Sequence, residues 1–284
     1  MNALAVVTGA SSGIGYELAK VFADNGFDVV VAAEDERIEE AAAQLRLRSG
    51  GVHVEPVRVD LRGYEGVELL VSRVRALGRP VDALAVNAGV GVGGDFVRDT
   101  SLDDNLEIVD LNVRSSVHLA HRLIGDMVDR KEGKVLFTSS IAATAPGPFH
   151  SVYAASQAFL ASFAQGLREE LRDTGVSVTA LMPGPTDTEF FERAGMQDTK
   201  VATGHKDDPA QVAQQGFDAL MKGDDHVVAG SVKNKVQAIA GKVAPDTVKA
   251  RMMRTMTEPG SADDPAEDSV VDSADDSAAE DSDA

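Results

Sequence analysis

Valine-rich apolar runs alternate along the chain with longer segments of helical period. The runs are ALAVVT (3–8), FDVVVAA (27–33), GVHVEPVRV (51–59), VDALAVN (81–87), GKVLFTS (133–139) and GVSVTALM (175–182). Segments of helical length separate them at 14–24, 35–48, 64–77, 103–130 and 153–173. Runs that are apolar throughout, rather than at every second position, mark strands buried on both faces, and the intervening helices supply crossovers. The pattern predicts an α/β domain built on a doubly wound parallel sheet with right-handed connections. A helix at 209–222 followed by DHVVAG (225–230) adds a seventh strand. No internal repeat of fixed period is present, so one domain is expected rather than an array.

Composition narrows the setting. Hydrophobic residues make up 43% of the 284 positions, enough for a sizeable core. The net charge of −19 is uneven. From Glu258 to Ala284 there are eleven acidic residues and no Lys or Arg, which leaves 35 acids against 27 bases in residues 1–257. The segment 258–284, mostly Asp, Ser, Ala and Glu, has little to bury and reads as a disordered acidic tail on a 1–257 domain. An acidic surface repels phosphate backbones, which argues against a nucleic-acid partner. Lysine is scarcer than arginine, 10 against 17, and with the acidic excess this points to adaptation to high salt. Cysteine is absent, which removes disulfides, thiolate catalysis and thiolate-bound metals. No segment approaches the about 18 apolar residues of a membrane span, and MNALAVVTGASSG is too short and glycine-interrupted for a leader. A cytoplasmic protein with no membrane partner is expected.

The first strand runs into VVTGASSGIG, which sets Gly9, Gly13 and Gly15 between a strand and a helix, with Ser11, Ser12 and Ile14 in the same loop. Such glycines allow a tight turn, close backbone approach to a pyrophosphate and close helix packing, and the helix N-terminus offers free N–H groups to the phosphates. A dinucleotide is the ligand this context predicts.

The spacing resembles the T-G-x-x-x-G-x-G of the short-chain dehydrogenase/reductase family, whose Rossmann-like fold suits the strand pattern. Later residues match that family in order over 3 to about 230. VDL (59–61) looks like its adenine-pocket segment, with Asp60 and Leu61; NAG (87–89) matches the end of its fourth strand, with Asn87, Ala88 and Gly89; Asn112 stands in DLNV on the long helix. Ser140 lies 13 residues before Tyr153, the family's usual interval, and PGPTDT (183–188) looks like its carboxamide-binding loop, with Pro183, Gly184 and Thr188. Each match has a plainer reading beside it: Asp60 as a cap, Asn87 as a brace between strands, the Pro-Gly pair as a turn. Family members that hold a 2′-phosphate usually carry a base at the position of Ala33 or Ser12. Here Glu34 or Asp35 can instead accept a free ribose hydroxyl and repel a phosphate, so the resemblance implies NAD before NADP, unless Arg37 folds back onto a phosphate.

The resemblance further implies hydride transfer between a nicotinamide and a small carbonyl or secondary alcohol. Tyr153 would move the proton, Ser140 would orient the substrate oxygen, and Asn112 would hold a water in the proton path. Where the family has a lysine four residues after the tyrosine, this chain has Gln157. Its amide can keep a ribose hydrogen bond but supplies no charge. A cation about 4 Å from a developing phenolate is worth roughly 4 kcal/mol at a dielectric near 20, or about three pKa units. A slow, reduction-biased enzyme is expected, with an impaired dinucleotide-binding sensor or scaffold as the alternative. His150, in APGPFHS, is expected as an exposed loop residue without a role rather than a substitute base. The segment 188–208 corresponds to a substrate lid in which Phe190, Phe191 and Met196 line a pocket or simply pack. Residues 234–256 read as an amphipathic, basic segment that covers the lid, mediates assembly or touches acidic surfaces. The family pairs through the helices near 103–130 and 153–173, which implies a homodimer or homotetramer. No His, Asp and Glu grouping has metal-ligand spacing, so no metal is expected.

Overall fold

The computed structural model describes residues 1–231 and 245–263. Seven strands form one sheet: β1 (Leu4–Thr8), β2 (Asp28–Ala33), β3 (Val54–Arg58), β4 (Ala83–Val86), β5 (Gly133–Thr138), β6 (Val176–Pro183) and β7 (His226–Ala229). Their order across the sheet is β3-β2-β1-β4-β5-β6-β7, and every pairing is parallel. The doubly wound sheet expected from the apolar runs is therefore the architecture.

Successive residues of a strand face opposite layers, and the core divides accordingly. Leu4 and Val6 join the cluster beneath α3 (Tyr64–Ala76) and α5 (Ser115–Arg130), whereas Ala5 and Val7 join the one beneath α1 (Gly13–Asp24), α2 (Arg37–Arg48) and α9 (Pro209–Lys222). Phe22 and Phe217 meet edge to face at 5.2 Å and tie α1 to α9 on that second side. Burying each Val, Leu or Phe of these layers contributes about 1.5–3 kcal/mol, which is what makes both faces of the sheet apolar. β3 is shorter than the run at 51–59, and it lies at the sheet edge, where Pro56 costs no ladder hydrogen bond on the open side.

The helix expected over 103–130 is one rod in three parts: α4 (Leu102–Ile108), a π-helical turn at Val109–Arg114, and α5. The hydroxyls of Ser115 and Ser116 donate to the carbonyls of Leu111 and Asn112 where the turn widens. A one-residue change of winding leaves no mark on an apolar period read over several turns. The segment 188–208 forms two short helices, α7 (Phe190–Arg193) and α8 (Lys200–Thr203). α6 (Ser151–Glu170) packs on β6, and a last helix, α10 (Asp246–Thr257), closes the described chain. Of the basic segment 234–256, residues 234–244 lie outside the described residues.

Residues 258–263, the first of the segment expected as an acidic tail, are docked on the described chain. Gly260 donates its N–H to the Asp198 carboxylate at 2.7 Å, Ala262 donates to the Asp198 carbonyl at 2.9 Å, and the Ser261 hydroxyl accepts the Lys200 N–H at 3.0 Å. A segment with little to bury still docks when its backbone donors find fixed acceptors. Residues 264–284, the rest of that expected tail, lie outside the described residues. Among the described residues no helix is long and apolar enough to cross a membrane.

Helix α1 can sit this close to the sheet only because position 15 lacks a side chain. A Cβ on Gly15 would lie 2.1 Å from the Gly9 carbonyl oxygen and 2.5 Å from the Asn87 amide nitrogen. Gly15→Ala is expected to cost about 1–3 kcal/mol by overpacking. Gly166, in mid-α6, has nothing within 4 Å of the same methyl, and Gly166→Ala should be neutral or stabilising. Thermal unfolding of the two variants checks this, and equal midpoints would refute it.

Candidate active site

The strands all point their C-terminal ends at one rim of the sheet, and crossovers leave β1 and β4 in opposite directions. A crevice opens at such a switch point. Here it is a cavity of about 440 Å³ lined from the β1–α1 loop at one end to α10 at the other. Every residue singled out from the sequence lines it except Asn112 and Arg37.

At the glycine loop, Gly9 and Gly13 take φ of +65° and +56°, conformations that L side chains rarely adopt. A Cβ on Gly13 would approach the Thr188 methyl at 3.0 Å, so the loop and the segment after β6 face each other across a narrow gap. Asn87 donates its side-chain N–H to the Thr8 carbonyl at 3.2 Å and its backbone N–H to the Thr8 hydroxyl at 3.0 Å. It thus braces β1 to β4 while also lining the cleft, and the two readings of it hold together.

Past β2, the acids are already engaged. Asp35 accepts the Ser11 hydroxyl at 3.0 Å and the Arg37 backbone N–H at 3.0 Å. Burial pushes its carboxyl up, but hydrogen bonds from Arg37 and Ser11 outweigh this and hold it below the usual range. Arg37 in turn grips Glu189 through both terminal guanidinium nitrogens, at 2.7 and 3.1 Å. Glu34 pairs with Arg62, which also reaches Asp60 at 3.0 Å and Glu107 at 2.9 Å. Asp35 rather than Glu34 is therefore the acid that sits against the glycine loop. Asp60 accepts the Arg62 backbone N–H at 2.9 Å, so its capping role coexists with its place in the wall.

At the other end, α6 presents Tyr153 and Gln157 one turn apart on one face. The Ser139 hydroxyl donates to the Gln157 carbonyl at 2.8 Å and pins this turn to β5. Burial pushes the Tyr153 phenol up to about 12, with a hydrogen bond to Ser140 acting the other way. Ser140 opens the 3₁₀ turn Ile141–Thr144, and its hydroxyl accepts the Ala142 N–H at 3.1 Å. Gln157 is buried, and its Oε1 lacks a hydrogen-bond partner among the described residues. The buried Thr138 hydroxyl, also in the cavity wall, is in the same condition.

Asn112 lies behind the cavity wall, and the expectation for His150 changes. Asn112 is fully buried; its Oδ1 accepts the Val90 N–H at 2.9 Å and its Nδ2 donates to the Val90 carbonyl at 2.9 Å and the Ser156 hydroxyl at 3.0 Å. Its side chain clamps the β4 exit to α6, with both amide hydrogens taken and one Oδ1 lone pair left. His150 is not exposed: it is 6% accessible and lines the cavity, with its ring 6.1 Å from that of Tyr153. Burial holds it below the ordinary histidine range, outweighing the Nδ1–H bond to the Pro148 carbonyl at 2.9 Å, which favours the charged form. The Phe149–His150 kink, with Phe149 at φ +59°, turns the loop inward, and no local sequence signal reports that.

The cavity wall beside Tyr153 both packs and lines, as the two readings of Phe190, Phe191 and Met196 allow. Phe191 and Met196 are buried and pack together with Phe190, and all three line the cavity. Phe190 lies 5.0 Å from the Tyr153 ring. Met252, Met253 and Met256 of α10 complete this wall. The amphipathic period of their segment was visible, but its approach to residues a hundred positions earlier was not. Among the described residues, no group of three or more His, Asp or Glu is placed to hold a metal.

The short chain dehydrogenase model matches residues 3–199. A short chain dehydrogenase of Pseudocercospora fijiensis is 35% identical over 188 residues, which is 66% of this chain but 60% of that protein. The serine 3-dehydrogenase of Rhizobium radiobacter is 30% identical over 243 residues, 85% of this chain and 89% of that one. Among solved structures, a short-chain dehydrogenase from Sphingobium yanoikuyae in complex with NADPH superposes with a TM-score of 0.75 at 30% identity, covering 84% of this chain and 93% of that one. On sequence and on fold alike, the chain belongs to the short-chain dehydrogenase family.

Proposed function

We propose that this protein is a nicotinamide-dependent oxidoreductase that interconverts a carbonyl compound and its secondary alcohol, prefers NAD to NADP, and runs chiefly as a slow reductase. The observation that carries the reading is a half-buried tyrosine whose phenol is pushed up to about 12 by desolvation, with Ser140 in the same wall and an uncharged, buried amide one helical turn away in the same cleft as the glycine loop. The residues present suit a dinucleotide. A buried acceptor without a donor costs about 1–3 kcal/mol, and Oε1 of Gln157, a cavity-lining residue, is such an acceptor, which a ribose hydroxyl would satisfy. Gly9, Gly13 and the start of α1 would hold the pyrophosphate.

When bound, the nicotinamide supplies or accepts the hydride. Ser140 orients the substrate oxygen, and Tyr153, protonated throughout the neutral range, donates its proton to that oxygen as a carbonyl is reduced. The reverse direction needs the phenolate, which is scarce at this pKa. Oxidation of NADH by a panel of carbonyl compounds in molar salt tests the reading. Tight cofactor binding with no consumption on any compound would favour the sensor instead.

Cofactor choice rests on Asp35, whose carboxylate faces Ser11 and restrains Arg37. Asp35→Ser removes a negative charge and one of the two carboxylates that hold Arg37. The ratio of kcat/KM for NADPH over NADH is expected to rise at least about tenfold, or about 1.4 kcal/mol. An unmoved ratio would place the discrimination elsewhere.

A further inference from the structure

We infer that the substrate is a carbonyl compound with a bulky apolar body and a carboxylate remote from the carbonyl, the body lying on the phenylalanine and methionine wall and the carboxylate on Lys249. This rests on the oxidoreductase reading above and names the substrate class of the same site.

The half of the cavity beyond Tyr153 is walled by the lid, by α10 and by the 3₁₀ turn after Ser140. Methionine side chains are flexible and polarizable, and four of them in one wall suit a large apolar ligand of irregular shape. Charge in this half is sparse. His150 is neutral. Glu189 and Arg193 pair with each other at 3.0 Å and turn toward Arg37 and Asp35 at the nucleotide end. Lys249 remains, in the wall of the cavity with its side chain 16% accessible.

Its ammonium donates to the Thr144 carbonyl at 3.2 Å and pairs with Asp246 at 2.7 Å. Asp246 is one turn away on α10 and 77% accessible, so its half of the pair is already in water while Lys249 is largely covered. A ligand carboxylate can take the place of Asp246 without changing the local charge, and Asp246 then returns to water. Thr144 ends the turn that Ser140 opens, and four residues at the 3₁₀ rise span about 8 Å. An α-keto acid, with its carboxylate adjacent to the carbonyl, cannot reach both ends. A longer keto acid can.

The test compares 6-oxo-6-phenylhexanoate, its methyl ester and pyruvate. Two readouts are taken at one fixed salt concentration: kcat/KM with NADH, and dissociation constants by titration calorimetry with and without NADH. In the unaltered protein the long keto acid is expected to exceed the ester by about tenfold in both readouts, the gain of one charge-assisted hydrogen bond, and pyruvate is expected to be poor. Lys249→Gln should bring the acid-to-ester ratio close to one. Asp246→Asn, a change at an exposed position, should raise the ratio and serves if Lys249→Gln does not fold. Equal handling of acid and ester, or a ratio that survives Lys249→Gln, overturns the inference even if ketones are reduced. A binding ratio that collapses in Lys249→Gln without turnover of any ketone supports it and removes the oxidoreductase reading instead.

Discussion

Replacing Tyr153 by phenylalanine is expected to lower carbonyl reduction by about 10² to 10⁴, the usual contribution of a positioned general acid. The ring can stay where it is: it packs 5.0 Å from Phe190 and 6.1 Å from His150, contacts that phenylalanine retains. Only the hydroxyl is lost, and with it the proton donor and the partner of Ser140. NADH affinity should change far less than kcat, so turnover and a cofactor titration together separate loss of chemistry from loss of fold. Activity retained in the variant would sink the proposed role. The pH dependence carries the same sign. A phenol pushed up to about 12 stays protonated below that pH, so reduction should show no alkaline fall from this group in the ordinary working range. Oxidation, which draws on the phenolate, should climb with pH across that range.

Gln157→Lys is expected to have the second largest effect, in the opposite direction. A cation about 4 Å from the phenolate, at a dielectric near 20, contributes roughly 4 kcal/mol and lowers the phenol by about three units. Burial offsets part of this, because the amide at 157 is 4% accessible and an ammonium there gives up water. The Thr138 hydroxyl, a buried acceptor without a partner in the same wall, would recover some of that loss. Alcohol oxidation at pH 8 should therefore rise at least tenfold, toward a ceiling of about a thousandfold set by the larger phenolate fraction. The inflection of its pH–rate profile should move to lower pH. An unaltered profile in a folded variant would show that charge at this position does not govern the reaction.

The division between local and distant information follows particular residues. Seven strands and their parallel pairing were readable because a strand buried on both faces must be apolar along its whole length. Gly9, Gly13 and Gly15 were readable because a strand, a glycine turn and a helix start are neighbours in the chain. Tyr153 and Gln157 share a helix face by their spacing of four, which needs no tertiary contact to predict. Asn112 stands on an identifiable helix, yet its task depends on Val90 and Ser156, 22 and 44 positions away. His150 looked like any loop histidine until the kink at Phe149 turned it into the cavity. Glu34 and Asp35 are adjacent in sequence and equal in charge, but Arg62 takes one and Ser11 with Arg37 the other.

By itself, then, the order of residues determined the sheet, the crossovers, the glycine loop and the absence of a cation at position 157, since each is a matter of periodicity, spacing or identity. Tertiary structure alone decided which carboxylate faces the glycine loop, which polar side chains are already satisfied, and that the methionines and Lys249 of α10 wall the same cavity as Tyr153. Hydrogen bonds and ion pairs form between groups within about 3 Å, and chain order does not state which distant groups folding brings that close.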